Sequence, residues 1–142
     1  YFETVGWRGL LEREGGSPHP ARFPSSPGML FPLYHVFADL AAWKDGELTE
    51  IVSSHPQRVT ALAVGRAGSV LLLVANLTDE TQPVTIGPLD SERAHVRILN
   101  QTTASDASFE PERFRRSGED YNVRSGLLTI ELPPFATARV RA

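Results

Sequence analysis

Two apolar runs near the middle of the chain, RVTALAVGR and SVLLLVANL, constrain its fold more than any other feature. Gly65-Arg66-Ala67-Gly68 stands between them, and two such runs joined by a short glycine-bearing turn predict a β-hairpin. The second run is apolar at consecutive rather than alternate positions. It therefore predicts a strand at the centre of a sheet, covered on both faces. Five more short segments read as strands: TEIVSS ahead of the hairpin, then TQPVTIG, AHVRILN, GLLTIEL and TARVRA after it. Pro83 directs TQPVTIG to a sheet edge, because proline donates no ladder hydrogen bond. About seven short strands separated by turn signals make residues 47–142 a mainly β region, an antiparallel β-sandwich. Within it, the polar excursion 101–125 sets Arg113, Arg115 and Arg116 against Glu110, Glu112, Glu119 and Asp120. It reads as a self-neutralising surface loop.

Residues 1–46 follow a different pattern. YFETV is a short strand, and residues 6–29 are a long irregular stretch rich in glycine and proline. Loops of that length in compact domains are functional or disordered. Trp7, Leu10, Leu11 and Phe23 argue for order, since a solvated linker does not carry such residues. A helix is predicted from about Phe31 to Trp43, with Pro32 in its first turn. Leu33, Val36, Phe37, Leu40 and Ala41 form its apolar stripe, and His35 and Asp39 form an i, i+4 pair on the opposite face. Asp45-Gly46 ends it. A lone strand with two unpaired edges and one amphipathic helix cannot fold by themselves. A strand, a loop at its C-terminal end and a returning helix are one βα unit, the repeating element of a (β/α)8 barrel. The alternative is that this strand and helix cover one side of the sandwich. The domain division expected is thus an incomplete barrel piece over 1–46 and an accessory sandwich over 47–142.

Charge and composition remove several function classes. A net charge of −3 gives no electrostatic footprint for nucleic acid or an anionic membrane. No apolar run reaches the roughly 20 residues of a membrane helix. Cysteine is absent, which removes disulfides, thiolate zinc sites and cysteine nucleophiles. His19, His35, His55 and His95 stand at no metal-ligand spacing, so neither a metal site nor a cofactor is expected. No G-x-S-x-G elbow and no phosphate-loop pattern occurs. Asn76-Leu77-Thr78 and Asn100-Gln101-Thr102 match the glycosylation triplet and read as chance matches.

YFETVGWRG, then GSPHPARFPSSPGMLFPLYHVFADL, then a sandwich ending in LPPFATARV resembles the C-terminal part of bacterial D-apionate lactonase-type proteins. More broadly, it is similar to the barrel-plus-sandwich layout of the clan A glycoside hydrolases. The likeness spans nearly the whole chain and is most specific in the first 42 residues. It implies that residues 1–5 are the eighth barrel strand, 31–43 the eighth helix and 47–142 the accessory sandwich. It also implies principal catalytic residues upstream, hydrolysis of a sugar lactone as the reaction, and a fragment inactive alone. The upstream barrel and a small sugar-derived substrate are the expected partners, without nucleic acid or membrane, in the bacterial cytoplasm.

Three residues of the YFETVGWRG segment are expected on the active-site rim. Trp7 offers an aromatic plane to a sugar ring, or else closes the barrel's end as a core residue. Arg8 presents forked donors to a carbonyl or carboxylate oxygen, or else pairs with Glu12. Glu3 is a substrate-positioning group or a paired structural one, with no partner carboxylate in this chain for glycosidic catalysis. A stand-alone β-sandwich module for binding or structure is the competing reading. The scarcity of aromatics beyond residue 46, only Phe109, Phe114, Tyr121 and Phe135, weighs against sugar binding by such a module.

Overall fold

The computed structural model describes residues 9–17, 19, 21 and 25–142. The predicted first strand, 1–5, lies outside them. Two compact units divide the chain: Trp43–Thr102 with Ser117–Ala142, and the residues up to Ala42 with Thr103–Arg116.

The larger unit is the antiparallel β-sandwich. Its strands are β1 (Glu47–Thr49), β2 (Val59–Arg66), β3 (Ser69–Asn76), β4 (Gln82–Ile86), β5 (Arg93–Leu99), β6 (Glu119–Asn122), β7 (Leu128–Leu132) and β8 (Thr137–Arg141). Six of them form one sheet in the order β1-β2-β3-β8-β5-β6, and β4 pairs with β7 in the second. Only β1–β2, β2–β3 and β5–β6 pair as neighbours in sequence, so the chain passes repeatedly between the two sheets. The eighth strand, absent from the sequence reading, is β6. EDYN carries no apolar alternation, and β6 is a polar sheet edge paired only with β5 through His95↔Asp120 and its neighbours. The first strand also lies ahead of the predicted TEIVSS segment, residues 49–54: it runs Glu47–Thr49 and shares only Thr49 with it, while Ile51 packs on the core from a loop.

The hairpin is where the sequence puts it, with Arg66↔Ser69 as its last pair and β3 between β2 and β8. Leu71, Leu72, Leu73 and Val74 are all buried, as four consecutive apolar residues require when both sheet faces are covered. Leu72 and Val74 join Ala138 and Val140 of β8, Val96 of β5, Ile86 of β4 and Leu128, Ile130 and Leu132 of β7 in the inter-sheet core. Strand β7 alternates strictly between buried and exposed positions. Pro83 stands on a strand that has one partner, consistent with its missing donor.

Among the described residues the smaller unit holds three helices: α1 (Leu33–Ala42), α2 (Ala104–Phe109) and α3 (Pro111–Arg116). The 101–125 excursion is therefore not simply a surface loop. Arg113–Asp106 at 2.7 Å and Arg116–Glu112 at 4.0 Å are exposed ion pairs, but Phe114 between them is buried. The polarity of α1 is also inverted from the expectation. His35 and Asp39 are 2% and 4% exposed, whereas Leu33 and Phe37 of the apolar stripe are 39% and 38% exposed. The cause is the 103–116 segment, which supplies polar partners for the polar face.

Candidate functional site

Glu3, Trp7 and Arg8, the rim residues predicted from sequence, lie outside the described residues. What it does describe is the base of the loop that follows them. Leu11 and Leu30 form an isolated antiparallel bridge. On either side of it, the Glu12 amide donates to the Met29 carbonyl at 2.8 Å and the Phe31 amide to the Leu10 carbonyl at 2.9 Å. The irregular stretch thus returns on itself just before α1. Beyond the bridge the Glu12 side chain, 1% exposed, accepts a hydrogen bond from the Ser25 hydroxyl and one of 2.9 Å from the Arg13 amide. A carboxylate taken out of water is tolerated only when its oxygens are bonded in this way. The sequence offered Glu12 only as a partner for Arg8, and nothing in its spacing pointed to Ser25.

A second polar group joins α1 to the inserted helices. His35 Nε2 lies 2.8 Å from the Ala107 carbonyl, so it carries the proton and donates. The Phe114 ring meets the imidazole edge-on at 4.7 Å between centroids, and Arg115 Nη1 stands 3.4 Å from Asp39 Oδ1. The Leu30 amide donates to the Ser108 carbonyl at 3.1 Å, tying the end of the loop to α2. His35 and Asp39 are thus a packed, partnered pair facing the interior of the unit, an arrangement suited to fixing α1 rather than to moving protons to a substrate.

The sandwich has a large open cleft of about 1360 Å³, between the 47–55 segment, the inner face of β2 and β3, and β4. Val59, Ala61, Val70, Val84 and Ile86 are among its apolar lining, and Glu47, Glu50, His55 and Arg58 among its polar lining. No Phe, Tyr or Trp lines it, so it lacks the large aromatic plane on which a sugar ring stacks. Among the described residues no group of three or more His, Asp or Glu could hold a metal ion, and no helix is long and apolar enough to cross a membrane.

Comparison with known proteins is informative at the level of family and fold. The family model for the D-apionate lactonase C-terminal immunoglobulin-like domain matches residues 56–140, more than half of the chain. Similar solved structures include a GH30 endoxylanase from Clostridium papyrosolvens, at 9% identity and a TM-score of 0.63, over 80% of this chain and 28% of that one. A bifunctional glucanase-xylanase from a metagenome library is 18% identical with a TM-score of 0.53, over 66% of this chain and 17% of the enzyme. An Anoxybacillus α-amylase is 18% identical with a TM-score of 0.50, over 78% and 21%. The chain spans less than a third of the length of each of these enzymes, and the likeness is one of fold. No curated protein matches it by sequence. The eight-stranded sandwich and the family match over its length lead to one conclusion: the chain belongs to the family of D-apionate lactonase C-terminal immunoglobulin-like domains.

Proposed function

We propose that this chain is the C-terminal part of a sugar-lactone hydrolase, in which the sandwich braces a (β/α)8 barrel and residues 1–46 are that barrel's last βα unit. The family match over residues 56–140 carries the reading. Two further observations support it. The likeness to the endoxylanase takes in a larger share of the chain than the sandwich unit contains, so it reaches into the first unit as well. Leu33, on the apolar stripe of α1, is also 39% exposed, on the surface that an eighth barrel helix turns to its strands.

In this reading water adds to the lactone carbonyl, the ring C–O bond breaks, and the product is a hydroxy acid with the elements of water gained. The groups that activate the water belong to the upstream barrel. This chain contributes the rim: Trp7 packs on the ring face, Arg8 holds the carbonyl or the product carboxylate, and Glu3 orients hydroxyls. The barrel and the lactone are its partners, and the bacterial cytoplasm its compartment.

The test is turnover of D-apionate lactone by the full polypeptide that carries this chain, followed by acid release. Turnover is expected for the full polypeptide and none for the 142 residues alone. Arg8→Ala should lower kcat/KM by about 10- to 100-fold, the loss of one or two charge-assisted hydrogen bonds. Hydrolysis of xylan or starch in place of the lactone would make the protein a glycosidase. Tight oligosaccharide binding by the 142 residues alone would favour a stand-alone binding module.

A further inference from the structure

The described part of the long loop is held together by contacts between its two legs at successive levels. Nearest α1 are the Leu11–Leu30 bridge and its two flanking backbone bonds. Next is the Glu12 carboxylate on the Ser25 hydroxyl. Beyond that Gly16, at φ +72°, faces the other leg, where a Cβ would meet the Pro27 ring and the Ser25 carbonyl oxygen at ordinary contact distance, 3.8 Å. The Gly16 amide closes a turn on the Arg13 carbonyl at 2.9 Å. Among these contacts the carboxylate is unusual, because it is a charged group only 1% exposed on a loop. A buried charge is destabilising unless its bonds are made, so the loop conformation that satisfies Glu12 is strongly selected over those that do not. The same carboxylate accepts the Arg13 amide, so it fixes the backbone from which the exposed Arg13 side chain projects.

We propose that Glu12, latched to Ser25, is a positioning residue of the active-site rim: it holds residues 9–17 and 25–30 together and sets where Arg13 stands relative to the substrate. The proposal rests on the reading of this loop as a βα loop of a lactone hydrolase. A cationic side chain held at a fixed place on the rim suits the hydroxyls and carbonyl of a small sugar lactone. On a freely moving backbone the same group binds it weakly, because ordering it then opposes binding.

The experiment compares the full polypeptide with its Ser25→Ala, Glu12→Gln and Glu12→Ala variants in two measurements. The first is hydrogen exchange at the Glu12 and Phe31 amides, which reports the latch whatever the substrate. The second is the split between KM and kcat with D-apionate lactone. Ser25→Ala should speed exchange by on the order of tenfold, the loss of one hydrogen bond to a charged group. It should raise KM by about as much while kcat changes less than KM does. Glu12→Gln, which can still accept from Ser25, should fall between wild type and Ser25→Ala in both measurements. Glu12→Ala should be the most severe, and Ser25→Ala keeps the test decisive if that variant fails to fold. Unchanged exchange in Ser25→Ala overturns the latch. Faster exchange with unchanged KM overturns its role at the rim. If the wild-type protein does not turn over the lactone, the lactonase reading fails and the rim role fails with it, while exchange still judges the latch.

Discussion

Asn76 ends the central strand with its whole hydrogen-bonding capacity engaged. Its Nδ2 donates towards the carbonyls of Glu80, Leu132 and Pro133 at 2.7, 3.0 and 2.8 Å. Its Oδ1 accepts from the Thr78 amide and hydroxyl at 2.9 and 2.8 Å. One buried side chain thus pins β3 to the end of β7 and to the turn before β4. Asn76→Ala leaves several carbonyls without a donor and should cost about 2–4 kcal/mol. Asn76→Asp should be worse at neutral pH, because it sets a negative charge against those carbonyl oxygens. Urea denaturation checks both: the midpoints should fall in that order at unchanged m. The sequence showed only a glycosylation triplet here, since Leu132 and Pro133 lie more than fifty residues away. The structure agrees with reading that triplet as chance, because the amide nitrogen that would carry a glycan is bonded inside. Gly118 is equally opaque in sequence. It adopts φ +129°, and a Cβ there would come within 2.6 Å of both His95 Nε2 and the Val96 carbonyl. Gly118→Ala should therefore cost about 2–3 kcal/mol and loosen the β5–β6 pair held by His95–Asp120 at 3.0 Å. A similar fall in the urea midpoint is the expected reading, and an unchanged midpoint would mean the segment yields without strain.

At the scale of elements, helix α1 shows why a stripe read from sequence names a surface without naming its cover. Leu33, Phe37 and Leu40 are spaced as predicted, yet the face buried among the described residues is that of His35 and Asp39. Their partners come from α2 and α3, six residues each. Such helices are too short to carry a readable period, and their charges mimic a loop. Strands, by contrast, were legible wherever apolar alternation or a continuous apolar run was long enough, as in β2, β3, β7 and β8. Only the polar edge β6 was missed outright. The two faces of α1 should respond differently to mutation. Phe114→Ala empties a buried site against His35 and should cost about 3–5 kcal/mol. Leu33→Glu in the isolated chain should cost no more than about 1 kcal/mol and reduce self-association, because Leu33 is 39% exposed. Thermal unfolding and sedimentation velocity separate the two effects. A Leu33→Glu loss as large as that of Phe114→Ala would mean the stripe is covered within this chain.

At the scale of the whole molecule, the decisive fact is that the units are not contiguous in sequence. The inter-sheet core, from Ala63 to Val140, is drawn entirely from the sandwich unit. The other unit is assembled from residues up to Ala42 and from Thr103–Arg116, which leave the sandwich after β5 and return before β6. Composition along the chain cannot show such a division, because a linear reading cuts a chain into consecutive pieces. The division has a consequence for stability. The bonds His35–Ala107, Leu30–Ser108 and Asp39–Arg115 all end on the insertion, and none involves a residue of the inter-sheet core. Replacing residues 104–116 by a short Gly-Ser turn should therefore strip α1 of these partners and leave the core's contacts intact. Hydrogen exchange should then show the amides of 33–42 losing protection, since a ten-residue helix deprived of tertiary contacts is marginal in water. The amides of β3 and β8 should keep theirs, because every core residue packed between the sheets remains. Loss of protection in both sets together would show that the two units unfold as one, with the sandwich depending on the helical unit rather than merely carrying it.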